Sequence, residues 1–292
     1  MSSARQIKQR IKTSQNISKI TKAMEMVSAS KMRRAQAQAL ATRPYTRALQ
    51  ESLQRLASEV KTEIHPFLAT HEKGIDVAVI ISTDKGLCGG LNQNLFKEAI
   101  AWQKAHENSK LVVVGRKAVA FARIYGLDTH AQFTDLPDTI KASDTIAVTT
   151  LVSQAFLNQE FKTVSVIYMD FISTLVQKVR TTQILPLPKE VHDVIHDTNA
   201  PVRQTTEYLF EPSPAEILGD LLNYYLENTM YQSFLEAKAS EHSARMVAMK
   251  NASENAGDLR QELQLSFNKS RQAAITNELI DITTAILAQK GK

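Results

Sequence analysis

The sequence predicts an α/β protein, with a long antiparallel coiled coil of the N- and C-terminal helices and an α/β domain inserted between them. Three observations carry this. Helical apolar spacing runs through residues 4–60 and again from 214 to about 288. Short β-rich runs alternate with helical stretches in between. Glycine (9) and proline (8) are scarce among the 292 residues, which favours long uninterrupted elements.

In the first segment, 1–62, Ile7, Ile11, Ile17, Ile20, Met24 and Val27 step by three or four, with a gap bridged at Ser14. Leu49, Leu53, Leu56 and Val60 continue the stepping. A stripe this narrow is the seam of a coiled coil, not the wider face of a globular helix. Pro44 is expected to kink or divide the helix, and His65-Pro66 to end it.

The second segment, 75–205, changes character. The runs Asp76–Ile81, Leu111–Val114 and Thr163–Tyr168 read as strands. Helical stretches lie near 91–107, 116–125 and 138–158. This alternation predicts βαβ units on a mostly parallel sheet, hence a Rossmann-like domain. Residues 175–185 add a strand at an edge, ahead of Pro186 and Pro188.

Residues 186–214 form a proline-rich linker. Ser213-Pro214-Ala215-Glu216 then has the order of a helix start: Ser as cap, Pro at the first position, Glu at the third. The third segment, 213–288, carries a second narrow stripe: Leu259, Leu263 and Phe267, then Ile275, Leu279, Ile282 and Ile286. Some 75 helical residues span roughly 110 Å, against about 30–40 Å for a compact domain of ~130 residues. The C-terminal helix is therefore expected to project and to pair with the N-terminal one.

Composition excludes several classes. A single cysteine, Cys88, rules out an internal disulfide and a multi-cysteine zinc site. No apolar run approaches ~20 residues, so no span of a membrane is expected. The net charge of +5 hides an asymmetry: residues 1–47 hold 11 Lys/Arg against one acid, Glu25. Such a start also describes a transit peptide, but the helical register runs on through residue 60 with no processing site.

Five features bear on chemistry or contacts. The loop Ser82–Asn92 follows a strand and opens a helix, where backbone N–H groups cradle phosphate. Yet Gly86, Cys88 and Leu91 fill what would be G-x-G-x-x-G, and no G-x-x-x-x-G-K-[ST] exists. A tight turn with close strand–helix packing competes with nucleotide binding there. Cys88 reads as a buried thiol or a nucleophile. His192 and His196, spaced i, i+4 in the linker, read as solvated or as a metal pair. The stripe of Arg5, Lys8, Lys12, Lys19, Lys22, Lys31, Arg33 and Arg34 implies an acidic partner; nucleic acid or anionic lipid is an alternative. The Ser/Ala-rich stretch from Ala237 to Ala256 makes a slim helix suited to close packing or a tight enclosing hole.

The segment Lys19–Met32 (KITKAMEMVSASKM) closely resembles the N-terminal helix of the γ subunits of F-type ATP synthases. The Ser82–Asn94 loop, Ser243–Ala252 and Asn268–Leu279 are similar to the same family in the expected order. The resemblance implies a rotor shaft with no catalysis of its own, no cofactor and no direct nucleotide or nucleic-acid binding. Its implied partners are the α and β subunits (the α3β3 ring), the ε subunit and the c-subunit ring. It implies a peripheral membrane protein on the cytoplasmic face of a bacterial inner membrane. Residues matching the family's rotor–stator contacts are Met24, Lys31, Arg33, Arg34, Arg245, Gln272, Thr276 and Glu278; Ile280 and Asp281 depart from its pattern. Tyr208 and Glu211 match the foot region that approaches the c ring. Plastid members carry a regulatory cysteine pair after the last strand; residues 186–212 have none, so thiol regulation is not expected.

Overall fold

A computed structural model of the chain describes residues 4–59, 66–187 and 213–290. In order the elements are α1 (Ala4–Glu59), a 3-10 turn (Pro66–Leu68), β1 (Ile75–Ile81), α2 (Leu91–Ala105), β2 (Ser109–Val114) and α3 (Arg116–Tyr125). There follow β3 (Thr129–Phe133), α4 (Ala142–Leu157), β4 (Phe161–Phe171), β5 (Gln177–Leu185) and α5 (Pro214–Lys290). Tyr208, Glu211, His192 and His196 lie outside the described residues. Among the described residues no helix is long and apolar enough to cross a membrane.

The five strands form one sheet in the order β3-β2-β1-β4-β5. β1 pairs in parallel with β2 and β4, β2 pairs in parallel with β3, and β5 closes the edge antiparallel to β4. This is the doubly wound arrangement that alternating strands and helices dictate. Strand side chains alternate between two faces. Val77, Val79, Ile81, Val112, Val114, Val164 and Val166 build one core with α4 and parts of α1 and α5. Ala78, Ile80, Leu111, Val113, Ile167 and Met169 build the other with α2 and α3. Each large side chain fully buried here contributes about 1.5–3 kcal/mol. Burial on both faces explains why β1 and β2 read as unbroken apolar runs.

Two local expectations change. β3 was not anticipated, because Thr129-His130-Ala131-Gln132-Phe133 is a half-buried edge strand with little of the usual β-forming composition. Pro44 does not divide α1, which continues through it. Pro44 is exposed, and so is Leu40, whose carbonyl loses the proline's missing N–H; water can replace that bond on this side.

The chain forms two compact units. One pairs α1 up to Ser28 with α5 from Met246 onward; the other is Ala29–Arg245. The division falls inside the long helices, not at their ends. Residues 217–245 of α5 thus belong with the sheet, and Ser233–Ser243 is buried without interruption. Part of the slim stretch is therefore enclosed by the chain's own α/β domain.

Candidate functional site

In the coiled-coil unit the buried positions of α1 are Ile7, Ser14, Thr21 and Ser28, with Ile11, Ser18 and Glu25 half-buried between them. This is a strict heptad seam with alternating steps of four and three. Ser14 Oγ donates to the Ala256 carbonyl at 2.7 Å, and Ser253 Oγ to the Ser18 carbonyl at 3.3 Å. One number rises as the other falls, so the helices run antiparallel. Small hydroxyl side chains bring the backbones close but bury little apolar area.

The expected seam was therefore wrong from Ile17 onward. Ile17, Ile20 and Val27 sit one position before the true seam residues Ser18, Thr21 and Ser28, and they face solvent; Ile20 is 61% exposed. Spacing alone favoured the larger apolar side chains, whereas close approach of two helices selects small ones. On α5, Leu259, Ile275, Leu279, Ile282 and Ile286 are likewise exposed, Leu279 by 58%. The register set by Ser14–Ala256 and Ser18–Ser253 carries α5 past Ala4, where α1 begins, before Ile275, so Ile275 to Ile286 lie beyond the pairing, while Ile17, Ile20 and Val27 lie outside the small polar seam of the paired stretch.

The cations of α1 are mostly surface charges. Arg5, Lys8, Lys12, Lys19, Lys22, Arg33 and Arg34 are exposed. Among the described residues this stretch makes two ion pairs, Lys22–Glu25 at 3.0 Å and Lys31–Asp138 at 2.5 Å. The Lys31 hydrogen bond holds the Asp138 carboxyl below its ordinary range.

In the α/β unit the crevice at the C-terminal ends of the strands, where doubly wound sheets bind ligands, is plugged by α5. Lys238, Glu241, Ala237 and Phe234 line what remains, a cavity of about 10 Å³ with room for about one water. Arg245 donates to the carbonyls of Lys85 (3.1 Å) and Gly86 (3.2 Å) and pairs with Glu241 at 2.8 Å. The loop after β1 thus presents carbonyl acceptors to a guanidinium. Its remaining groups cap α3: Ser82 Oγ accepts from Ala118 N–H, the Thr83 carbonyl from Lys117 N–H, and Asp84 from Arg116 N–H. These donors of the first turn of α3 are already used; α2, the helix the loop itself opens, has no side-chain cap at Gly90. Cys88 is buried, and burial pushes its thiol up, away from the reactive thiolate.

Glu241 and its partners Lys238 (3.2 Å) and Arg245 are all nearly buried. Burial pushes the Glu241 carboxyl up, but the two cations outweigh it and hold it low. Beside them His242 is 1% exposed, and neither ring nitrogen has a hydrogen-bond partner. Burial lowers its pKa to about 4, against the opposing pull of Glu241 and Asp138 and with help from Lys238 and Arg245. The unfolded imidazole titrates near 6.5, so between pH ~6.5 and ~4 the unfolded chain binds a proton that the folded chain refuses. The contribution is full above pH ~6.5 and is lost as pH falls, up to roughly 3 kcal/mol. In urea titrations from pH 4 to 8, His242→Leu is expected to flatten this limb and to be at least as stable as the parent at pH 8, since it removes buried unpaired polar atoms. A limb as steep as the parent's would contradict this origin.

The structure separates the residues matched by resemblance. Met24 is half-buried; Arg33, Arg34, Gln272, Thr276 and Glu278 are exposed; Lys31 and Arg245 hold partners within the chain. Sequence reasoning missed Lys238, Glu241 and His242, although the i,i+3 and i,i+4 spacing of Lys238, Glu241 and Arg245 was available.

A family model described as ATP synthase matches residues 3–288. The ATP synthase gamma chain of Glaesserella parasuis is 41% identical over 292 residues, covering 99% of this chain and 100% of that one. That of Legionella pneumophila is 39% identical over 287 residues, covering 97% and 98%. Among solved structures, a rotor chain of the Euglena gracilis mitochondrial ATP synthase matches the fold with a TM-score of 0.67 at 16% identity, covering 93% of this chain and 98% of that one. A central stalk/c-ring chain from Tetrahymena thermophila mitochondrial ATP synthase gives 0.60 at 23%, covering 80% and 99%. With full-length relatives at this identity, the chain belongs to the ATP synthase gamma chain family.

Proposed function

We propose that this chain is the central rotor shaft of F1 in an F-type ATP synthase. It couples ion flow through a membrane ring to ATP synthesis and hydrolysis on the catalytic β subunits, with no bond chemistry of its own. Segments 1–62 and 213–288 act as the shaft and 75–205 as the foot. The observation that carries this reading is the exposed apolar surface of the coiled-coil unit: Ile17, Ile20 and Val27 on α1 lie outside a seam of small polar residues, and Ile275, Leu279 and Ile286 are exposed on α5 beyond its pairing with α1. Exposed apolar residues along such long helices call for an enclosing sleeve, here the α3β3 ring. The ε subunit and the c-subunit ring bind the foot, with Tyr208 and Glu211 as contacts of the c ring. The chain is peripheral, at the cytoplasmic face of a bacterial inner membrane.

Met24, Arg33 and Arg34 face an acidic lever segment of β, and Gln272, Thr276 and Glu278 touch loops of the enclosing ring. Exposed ion pairs contribute only about 0–1 kcal/mol each. Such contacts form and break at each step without holding the rotor, while their uneven placement gives identical β subunits different surroundings. Lys31 and Arg245, which match the same set of contacts, also hold partners inside the chain.

The test is a disulfide between Met24→Cys and a cysteine in the β lever of the assembled complex. Oxidation is expected to stop multi-turnover ATP hydrolysis and reduction to restore it. Undiminished turnover in the crosslinked complex would refute the reading.

A further inference from the structure

Within the α/β unit, three strand-end loops among the described residues are held to the long helices by directed polar bonds. Arg245 reaches the loop after β1 through the Lys85 and Gly86 carbonyls. Lys31 pairs with Asp138 in the loop after β3. In that loop Gln38 Nε2 also donates to the Ile140 carbonyl at 2.6 Å, joined there by Tyr231 Oη at 3.3 Å. In the turn after β4, Ser243 Oγ donates to the Thr174 carbonyl at 2.6 Å, and Ser240 Oγ donates to the Met169 carbonyl near the end of β4 itself at 2.9 Å. Two of these loops carry residues other than glycine in the left-handed region, Leu87 (φ 61°) and Asp135 (φ 63°). Such residues persist only where their surroundings over-determine them.

We propose that these three loops form a torque clamp: they fix the angle of α1 and α5 against the sheet, so that rotation of the α/β domain is passed to the helices without slip. The proposal rests on the shaft reading above. Apolar packing alone is non-directional and resists sliding of a smooth helix poorly. Hydrogen bonds fail when their geometry turns, and a guanidinium fork fixes direction more strictly than a point charge. Placement matters as much as strength. In the strand order β3-β2-β1-β4, the outer two grips lie three strand spacings apart, about 14 Å. Two grips separated by that lever arm resist twist far better than one at the axis. The crevice that other doubly wound sheets give to a ligand is here given to the chain's own helix, and the small cavity left leaves little room for slack.

The test uses the assembled α3β3γ complex, immobilised through its ring, with a rod attached at Ile124→Cys, an exposed position on α3. The angular variance of the rod is read at the pauses of ATP-driven rotation. Asp138→Ala, Gln38→Ala and Ser243→Ala together weaken two of the three grips and are expected to widen the variance at least two-fold. The exchanged pair Lys31→Asp/Asp138→Lys is expected to narrow it relative to Asp138→Ala alone. Parental variance in the triple variant overturns the clamp and leaves the shaft reading intact. A rod that does not turn in the parent complex overturns the shaft reading instead. If the triple variant fails to assemble, Asp138→Ala and the exchanged pair decide: a single variant that does not widen the variance, or an exchange that does not narrow it, overturns the clamp.

Discussion

Glu241→Ala is expected to destabilise the chain by about 3–5 kcal/mol, the usual loss when one partner of a buried ion pair is removed. Two cations would be left unpaired, since the Lys238 and Arg245 side chains are 10% and 9% exposed. Arg245 would also lose the carboxylate that aims it at the loop after β1. Urea denaturation of the full chain, followed by the fluorescence of the single tryptophan, Trp102, reads the effect. Glu241→Gln keeps the shape but not the charge and is expected to recover only part of the loss. Replacing Lys238, Glu241 and Arg245 together by apolar residues is expected to cost less than Glu241→Ala, because no charge is then stranded. The sign with pH follows from the lowered carboxyl pKa: the contribution is full above the unfolded value of ~4.5 and disappears as pH falls through the folded one. A loss below ~1 kcal/mol at pH 7 would contradict this account of the cluster.

Gly115→Ala is the second large effect. Gly115 joins β2 to α3 at φ 92°, and an added Cβ would lie 2.6 Å from the Ser82 carbonyl oxygen and 2.8 Å from Ser82 Oγ. The strained backbone costs about 1–3 kcal/mol and the overpacking a similar amount, so a loss on the order of 4 kcal/mol is expected. Ser82 cannot simply move aside, because its hydroxyl caps α3 through Ala118 N–H and donates to the Val114 carbonyl. Gly126→Ala is the control. It also has positive φ, 62°, but nothing lies within 4 Å of its added Cβ, so about 1 kcal/mol is expected. Equal losses in thermal unfolding of the two variants would contradict the close approach of β2 to Ser82.

The elements most legible in the sequence were those fixed by local physics. β1, β2 and β4 are buried on both faces and so appear as apolar runs. The start of α5 appears in Ser213-Pro214 because capping and fixed φ act within one turn. What remained hidden depended on partners distant in sequence. β3 is a strand because β2 offers it an edge, not because of its composition. The seam of α1 passes through Ser14, Ser18, Thr21 and Ser28 because α5 approaches closely, and spacing alone preferred Ile20 and Val27. The partners of Lys31 and Arg245 within the chain were hidden too: Lys31 reaches Asp138 at the surface and Arg245 turns inward to Glu241, and no linear pattern shows either direction.

The central claim is that this chain turns. With the α3β3 ring immobilised and a rod on Ile124→Cys, ATP is expected to drive stepwise rotation of the rod in one sense. Steady ATP turnover by the same complexes with a stationary rod would contradict the account.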